Sequence, residues 1–248
     1  MTKKRLDLLL VEKGLVESRA KAQALIMAGQ VRVQGQVSDR AAASLAEDVE
    51  ITIDKGARFV SRGGEKLEAA LQAFKVDPGG RTCADVGSST GGFTDCLLQH
   101  GAGKVYAIDV GKGILHWKLR TDPRVLVMEE TNARFVESLA EPVSLTVIDT
   151  SFISLKILLP VVKKWLDEQG HVITLIKPQF EAGRRESAKH KGVIRDPQVH
   201  QTVLLDVLGF ARGQGFNVQG LIRSPVLGPK GNVEFLAWLE WTPHAARL

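Results

Sequence analysis

The stretch from Ala84 to Asp95 constrains the fold of this chain more than any other. It reads Ala-Asp-Val-Gly-Ser-Ser-Thr-Gly-Gly-Phe-Thr-Asp, with a strand pattern before it and apolar residues at helical spacing after it. The pattern predicts a strand, a glycine-rich turn and a helix, in which backbone N–H groups can approach a ligand. Dinucleotide sites use Gly-x-Gly-x-x-Gly, and phosphate loops end in Lys-Ser/Thr. This turn has the pattern Gly-x-x-x-Gly-Gly, at Gly87, Gly91 and Gly92, and no Lys-Ser/Thr follows it. We therefore expect a nucleoside site that does not hold a pyrophosphate.

A second acidic residue narrows the choice of ligand. Residues 104–110 read as the next strand, which includes Asp109, 24 residues after Asp85. A carboxylate at the tip of the second strand, about 20 residues beyond the glycine turn, is placed to accept both hydroxyls of a ribose. Adenosine without a phosphate bridge indicates S-adenosylmethionine as the cofactor, while a tight turn with a capping aspartate is the alternative. The residues expected to contact the cofactor are Asp85, Gly87, Ser88, Ser89, Thr90, Gly91, Gly92, Phe93 and Asp109.

Strand and helix patterns alternate from Val76 onward. The strand patterns cover residues 81–86, 104–109, 124–129, 144–149 and 171–177, with helical stretches between them. This alternation predicts an α/β fold with a Rossmann-like, doubly wound parallel sheet. Two further strand patterns, 216–223 and 233–241, are separated by a loop alone and predict a terminal antiparallel hairpin. A sheet finished in this way is typical of S-adenosylmethionine-dependent methyltransferases.

Two polar residues end apolar strands of the predicted sheet. Asp149 closes Leu-Thr-Val-Ile-Asp, and Lys177 closes Val-Ile-Thr-Leu-Ile-Lys. Because ligands of open α/β sheets bind outside the carboxyl ends of the strands, both side chains should converge on the cofactor. A lysine that takes the proton of a ribose hydroxyl would assist attack of that oxygen on a sulfonium methyl group. Lys66, in the first turn of a predicted helix, is a third candidate. A structural ion pair between Asp149 and Lys177 is the alternative.

A small α+β module precedes the predicted sheet. Apolar residues at helical spacing predict one helix over residues 5–13 and a second one from Arg19, with Ser18 as its cap. Alternating valines around Gln34-Gly35 predict a hairpin, and residues 49–53 predict a third strand. We expect domains at 1–58 and 59–248, with the glycine-containing stretch 54–64 as the linker.

Basic residues are concentrated in two parts of the chain. The net charge is +5, with six basic against three acidic residues in 1–21 and six against two in 177–195. Two separate basic stretches favour a nucleic acid partner, although a solvated surface could have the same composition. Cys83 and Cys96 form no Cys-x-x-Cys and are expected to be buried thiols in a reducing cytoplasm. No run approaches the ~18 apolar residues of a membrane span, no metal site is expected, and the oligomeric state stays open.

Three segments of the small module resemble a known RNA-binding fold. Residues 5–7, 14–19 and 26–35 are similar to the alpha-L RNA-binding module of a small-subunit ribosomal protein. The resemblance implies that a helical face carrying Arg5, Arg19, Lys21 and Arg32 contacts RNA phosphates. Contacts with phosphates confer affinity and position rather than sequence choice.

The whole chain resembles the haemolysin A (TlyA) family of ribosomal RNA 2′-O-methyltransferases, in which an RNA-binding module precedes an FtsJ-like methyltransferase domain. The motifs that carry the resemblance are residues 60–67, 85–95, 148–155, 175–183 and 228–236. They imply a catalytic tetrad of Lys66, Asp149, Lys177 and Glu234, with Lys177 as the base. From its own pattern, Glu234 reads only as a surface residue of an edge strand. The resemblance also implies that Asp109 holds the ribose, that Asn132 borders the adenine, and that the target is a cytidine of ribosomal RNA, free or in a ribosomal subunit.

Residues 183–195 form a long polar stretch directly after the Lys177 strand. It contains Arg184 and Arg185, which are further candidates for RNA binding. We expect a loop that is mobile without RNA and closes on the substrate. Glu65, Glu130 and the sequence Ala-Arg-Phe-Val at 57–60 depart from the family pattern, which affects the expected interdomain contacts and RNA affinity rather than the chemistry.

Several other functions compete with ribose methylation. The sequence Asp149-Thr-Ser-Phe152 stands where amino-group methyltransferases of RNA bases carry Asn/Asp-Pro-Pro-aromatic, but its prolines are missing. A non-catalytic RNA-binding protein would not need Asp149 or Lys177. A membrane-damaging haemolysin would need a spanning segment or a secretion signal, and a dehydrogenase is disfavoured by the glycine spacing.

Overall fold

The computed structural model describes residues 3–54, 56 and 58–243, apart from the side chain of Arg184. These residues divide into two compact units, and the boundary in the chain falls between Arg58 and Phe59. The predicted linker, 54–64, includes Lys55 and Ala57, which lie outside the described residues.

The first unit packs two helices against short strands. Leu6, Leu10, Ile26 and Val31 are fully buried and form its core. The Ser18 hydroxyl accepts the Lys21 N–H at 3.2 Å and caps the second helix, as predicted. The elements in chain order are β1 (Lys3–Arg5), α1 (Leu6–Glu12), α2 (Arg19–Met27), β2 (Val31–Val33), β3 (Gln36–Val37), β4 (Ser44–Ala46) and β5 (Ile51–Ile53).

The strands of the first unit form two antiparallel sheets. One has the order β3-β2-β5 and contains the predicted hairpin and third strand. The other joins β1 to β4, and the sequence analysis missed it because the Lys-Lys-Arg sequence of β1 has no apolar alternation. The implied single helical face of basic residues is wrong in part. Arg19 and Lys21 lie on α2, whereas Arg5 ends strand β1 and Arg32 lies in β2.

A buried carboxylate joins the two helices of the first unit. Asp7 is fully buried and accepts hydrogen bonds from Arg5 Nε and Nη2 at 3.0 and 2.9 Å. Arg19 Nε and Gln23 Nε2 donate to the same carboxylate, each at 2.9 Å. The Arg5 guanidinium, followed by Gln23 and Arg19, holds the pKa of Asp7 well below its usual range, although burial opposes the shift. Asp7 therefore fixes the direction of two arginines that are candidates for RNA binding.

Replacing Asp7 with asparagine should destabilise the first unit by about 1–3 kcal/mol, because an amide cannot accept all of these donors. A carboxyl whose folded pKa is lowered contributes stability above its unfolded pKa and loses it as the pH falls towards the folded value. We therefore expect the difference between Asp7→Asn and wild type to shrink below about pH 4. Hydrogen exchange of the α1 amides across this pH range measures it, with Glu12→Gln, in an exposed ion pair with Lys4, as the control. Equal exchange in Asp7→Asn and wild type at neutral pH would contradict the role of Asp7.

The second unit is built on a seven-stranded sheet with the order β11-β12-β10-β9-β6-β7-β8. Strands β10, β9, β6, β7 and β8 are parallel, while β12 is antiparallel to both β10 and β11. The elements are α3 (Gly63–Phe74), β6 (Thr82–Val86), α4 (Gly92–Gln99), β7 (Lys104–Ile108), α5 (Trp117–Arg120), β8 (Val125–Met128), β9 (Val143–Ile148), α6 (Leu155–Val162), β10 (Leu166–Ile176), α7 (Pro178–Glu181), α8 (Gly183–Lys189), α9 (Pro197–Gly213), β11 (Phe216–Arg223) and β12 (Phe235–Trp241). The predicted Rossmann-like sheet with a terminal antiparallel hairpin is confirmed.

Helices cover both faces of this sheet because its strands are apolar on both sides. In β9, Leu145 and Val147 pack with α3 and α4, whereas the alternate residue Ile148 packs with α6 and α9. Near-continuous apolar strands of this kind are expected where helices cover a parallel sheet. Because β10, β9, β6, β7 and β8 are parallel, their carboxyl ends lie at one edge of the sheet. Asp109, Asp149 and Lys177 each follow one of these strands.

Two segments are more ordered than their sequences indicate. Phe59 is 3% exposed in the core of the second unit and α3 begins at Gly63, so the stretch 59–64 is part of this unit rather than a linker. Residues 183–189 form α8 instead of the predicted loop, and Ile194 is fully buried. Among the described residues, no helix combines the length and the apolar character that a membrane crossing requires.

Candidate active site

The glycine-rich turn lies where the order of the strands reverses, between neighbouring β6 and β9. Gly87 has φ +84°, and a Cβ at this position would lie 2.5 Å from the backbone oxygen of Asp149. Only glycine combines this backbone conformation with so close an approach of the two strand ends. The turn is thereby placed directly beside Asp149, the residue that follows β9.

Asp109 holds the turn from the adjacent strand. Its two carboxylate oxygens accept the N–H groups of Ser89 and Gly111, each at 2.8 Å. It faces a cavity of about 300 Å³ that is also lined by Asn132 and by the apolar residues Val110, Ile114, Ile153 and Leu158. Apolar walls with two carboxylates, Asp109 and Asp149, and one amide fit a nucleoside: the base has a surface to pack on, and the ribose has acceptors. Neither a phosphate loop lysine nor a cluster of cations lines this cavity in the described part of the chain.

Two of the predicted cofactor residues lie behind the turn. Asp85 is fully buried, and one of its oxygens accepts the Thr94 N–H at 2.9 Å and the Thr94 hydroxyl at 2.6 Å. Its other oxygen has no partner among the described residues. Gly91 packs against Leu119, whose Cδ1 would lie 2.1 Å from an added Cβ. Both residues shape the turn and the start of α4, whereas Ser88, Ser89, Thr90, Gly92 and Phe93 line the site itself.

Burial raises the pKa of Asp85 to about 7, with the nearby charge of Asp149 acting in the same direction and the Thr94 hydrogen bonds opposing. Because the folded pKa lies above the unfolded value, the folded state binds the extra proton between about pH 4 and 7. Stability should therefore fall across this interval as the pH rises, by up to about 1.4 kcal/mol per pH unit. Asp85→Asn, which resembles the protonated form, should remove this slope. Denaturant titrations at several pH values measure it, and an equal slope in Asp85→Asn would contradict the assignment.

A second cavity, of about 360 Å³, adjoins the first. The two share Gly87, Ser89, Asp149 and Ser151 in their walls. Only the second is lined by Lys66, Lys177 and the loop from Val226 to Pro229. A ligand that extends from the first cavity into the second would thus reach the two lysines.

The predicted tetrad forms two lysine–carboxylate pairs. Lys177 Nζ lies 2.5 Å from Asp149 Oδ1 and 3.2 Å from the Ser151 hydroxyl. Lys66 Nζ lies 2.6 Å from Glu234 Oε2, and both residues are buried. Lys66, Asp149 and Lys177 line the cavity, while Glu234 stands behind Lys66. The geometry therefore separates three residues that can touch a substrate from one that can act only through Lys66.

Three parts of the site were missed by reasoning from the sequence. Ser151 follows Asp149 in the same post-strand turn, and that position was a usable signal. Gln179, which donates to Glu234 at 3.4 Å, and part of the loop 226–229 lie in the motifs 175–183 and 228–236, but no pattern of their own assigned them to the site. Gly228 packs so closely on the Glu234 carboxylate that an added Cβ would lie 2.0 Å from Oε1, a contact that only the fold reveals.

Arg185, Cys83 and Cys96 of the same unit line neither cavity. Arg185 is exposed on α8, and the Arg184 side chain lies outside the described residues. Cys83 and Cys96 are free buried thiols, and burial raises the pKa of Cys83 to about 12. Within the described residues, no group of three or more His, Cys, Asp or Glu is arranged to hold a metal ion.

A seven-stranded sheet with an antiparallel β12, a glycine-rich turn after its first parallel strand and a carboxylate after the next defines a Rossmann-like methyltransferase. The sequence profile of the FtsJ-like methyltransferase family matches residues 59–241, and that of the S4 domain matches residues 4–51. The chain belongs to the FtsJ-like methyltransferase family and carries an S4 domain before the methyltransferase domain.

Similar proteins match both parts of the chain. YqxC of Bacillus subtilis (strain 168), named as an rRNA methyltransferase, is 48% identical over 248 residues, or 96% of this chain and 86% of that protein. The 16S/23S rRNA (cytidine-2′-O)-methyltransferase TlyA of Mycobacterium tuberculosis (strain ATCC 25618 / H37Rv) is 43% identical over 240 residues, or 95% and 89%. A solved structure from Streptococcus thermophilus, named as a hemolysin, is 44% identical with a TM-score of 0.73, covering 98% of this chain and 90% of that one.

Proposed function

We propose that this protein transfers a methyl group from S-adenosylmethionine to a ribose 2′-hydroxyl of ribosomal RNA, with cytidine as the modified nucleoside. The observation that carries the proposal is the pair of lysines, each held by a carboxylate, beside a nucleoside-sized cavity. The family of the chain and the names of its relatives support the same reaction.

The first cavity would hold the adenosine part of the cofactor. Asp109 would accept the ribose hydroxyls in exchange for one of its backbone contacts, and Asn132 would border the adenine between the apolar walls. Backbone groups of Ser88, Ser89 and Thr90 would follow the cofactor towards the second cavity. When bound, S-adenosylmethionine would supply a methyl group made electrophilic by its positively charged sulfur.

The second cavity would hold the target ribose. Lys177 Nζ, as a free amine, would take the proton of the 2′-hydroxyl while that oxygen bonds to the methyl carbon and the carbon–sulfur bond breaks, its electron pair remaining on sulfur. Asp149 would orient Lys177 and stabilise the ammonium that forms. Lys66 would face the developing charge on the substrate oxygen, and Glu234 would fix the direction of Lys66.

Basic residues in both units would bind the RNA backbone. The S4 domain presents Arg5, Arg19, Lys21 and Arg32, of which Arg5 and Arg19 keep about half of their side chains exposed (42% and 53%) despite their contact with Asp7. In the methyltransferase domain, Arg184 and Arg185 belong to the basic stretch around α8. Contacts with phosphates from these residues would provide affinity and register, and the cavity would select the nucleotide.

Transfer of labelled methyl from S-adenosylmethionine to unmodified ribosomal RNA tests this proposal. We expect label in RNA transcripts of the two large ribosomal RNAs and none in DNA of the same sequence, which lacks the 2′-hydroxyl. If isolated RNA is inactive, ribosomal subunits from cells that lack the enzyme replace it in the same assay. Absence of label in RNA and in both subunits, with a protein that binds the cofactor, would contradict the proposal.

A further inference from the structure

Asn232 joins two segments of the methyltransferase domain that are far apart in sequence. It is 3% exposed, and its side chain makes three hydrogen bonds. Oδ1 accepts the Ile194 N–H at 3.1 Å, while Nδ2 donates to the carbonyls of Gly192 and Pro229, each at 3.0 Å. A buried amide satisfied in this way holds its partners in one geometry, since losing a donor leaves a buried carbonyl without a partner.

The first of these segments is the end of the basic stretch that follows Lys177. Ile194 is fully buried, and its carbonyl lies 2.9 Å from His200 Nε2 on α9. Lys191 and Gly192 have φ +51° and +76°, so the chain turns sharply between α8 and the Asn232 contact. Asn232 and His200 therefore hold opposite sides of the same short segment.

The second segment is the wall of the cavity that contains the lysines. Pro229 and Gly228 line that cavity, and Gly228 donates its N–H to the backbone oxygen of Asn232 at 2.9 Å. Gly228 in turn packs on the carboxylate of Glu234, which is only two residues beyond Asn232 in the chain. A shift of Asn232 would therefore move both the wall and the residue that holds Lys66.

We propose that Asn232 is a positioning residue that couples the basic segment after α8, residues 190–195, to the catalytic cavity. This coupling rests on the function proposed above. RNA phosphates bound by the basic segment would set the position of Gly228 in the cavity wall and the position of Glu234. Asn232 contacts neither RNA nor cofactor in this scheme. It acts through Pro229 and Glu234 on one side and through Gly192 and Ile194 on the other.

Two substitutions separate the coupling from simple anchoring of one segment. Asn232→Asp keeps an acceptor for the Ile194 N–H but places a carboxylate oxygen against the carbonyls of Gly192 and Pro229, so it should loosen both segments. His200→Ala removes the other support of Ile194, together with a ring contact on Phe235 that lies beyond the second segment, and should loosen the basic segment without loosening 226–234. Asn217→Ala, at an exposed asparagine of β11, is the matched control and should change neither.

Hydrogen exchange of the full chain without RNA tests the coupling itself. We expect faster exchange at both 190–195 and 226–234 in Asn232→Asp, and at 190–195 only in His200→Ala. Faster exchange at a single segment in Asn232→Asp, or at both in His200→Ala, would overturn the coupling. This readout does not depend on the reaction, so it remains decisive if the wild type proves unable to methylate ribosomal RNA.

Enzyme kinetics test whether the coupling serves catalysis. In Asn232→Asp we expect kcat/KM for ribosomal RNA to fall by about tenfold or more, with the Kd for S-adenosylmethionine, measured by calorimetry, as in wild type. His200→Ala should lower kcat less, because it leaves the cavity wall in place. An unchanged kcat/KM in Asn232→Asp, or an equal loss of cofactor affinity, would overturn the positioning role.

Discussion

Lys177→Ala should lower the rate of methyl transfer by about 10²–10⁴-fold, because it removes the group that takes the proton of the 2′-hydroxyl. Lys177 Nζ is the amine that pairs with Asp149, which lies in the wall shared by the two cavities. Among the described residues, no other cation pairs with Asp149. In the proposed function the cofactor would lie on the side of Asp109 and Asn132, so its affinity should stay close to that of wild type. Single-turnover transfer with saturating cofactor and RNA measures the rate of the chemical step.

Two variants control for the loss of a charge. Lys156→Ala removes a lysine that pairs with Asp206 outside the two cavities, and it should transfer methyl at the wild-type rate. Lys177→Arg keeps the cation but cannot supply a free amine near neutral pH, so it should be nearly as slow as Lys177→Ala. Transfer at full rate by Lys177→Ala would exclude Lys177 as the base, and full activity in Lys177→Arg would reduce its role to that of a fixed charge.

Glu234→Gln should destabilise the methyltransferase domain by about 3–5 kcal/mol, because it leaves the Lys66 charge buried without its partner. The two side chains are 9% and 0% exposed, and their 2.6 Å contact is shielded from water and salt. Lys66→Met should have a comparable effect through the unpaired carboxylate. The double variant Lys66→Met/Glu234→Gln should recover much of the lost stability, since a buried ion pair replaced as a whole costs little.

Stability and activity should therefore separate in this series. Urea denaturation should rank the double variant above both single variants, while methyl transfer should stay low in all three because Lys66 is absent or misdirected. Additive destabilisation in the double variant would show that the pair is not energetically coupled. Wild-type rates in the double variant would remove Lys66 and Glu234 from the proposed chemistry.

The sequence was sufficient for the sheet because each parallel strand is apolar on both faces and is followed by a turn and a helix. The terminal hairpin was equally clear, because 216–223 and 233–241 have no helix between them. Tertiary contacts decided the rest. Phe59 and Ile194 each lie in polar surroundings in the sequence, yet both are buried by elements that arrive later in the chain. Local periodicity cannot report such contacts, so 59–64 and 183–195 were predicted as irregular.

The candidate site divides in the same way. Asp149 and Lys177 could be predicted because a polar residue at the end of an apolar parallel strand must lie at the ligand edge of the sheet. Asp85 was expected at the cofactor as part of the glycine-rich motif, but its carboxylate accepts hydrogen bonds from Thr94. Glu234 lies before an antiparallel strand and carries no such signal, so only the family resemblance indicated it. Asn232 lies within the motif 228–236 but was assigned no role there, and its position became visible only through its three contacts.

The position of the transferred methyl group tests the central claim most directly. A 2′-O-methyl group blocks alkaline cleavage of the RNA chain, since the 2′-oxygen is the nucleophile of that reaction. After transfer from labelled S-adenosylmethionine and complete alkaline hydrolysis, we expect the label in a resistant dinucleotide whose 5′ nucleoside is 2′-O-methylcytidine. Label in ordinary mononucleotides carrying a methylated base amino group would contradict ribose methylation and favour the rival suggested by the sequence Asp149-Thr-Ser-Phe152.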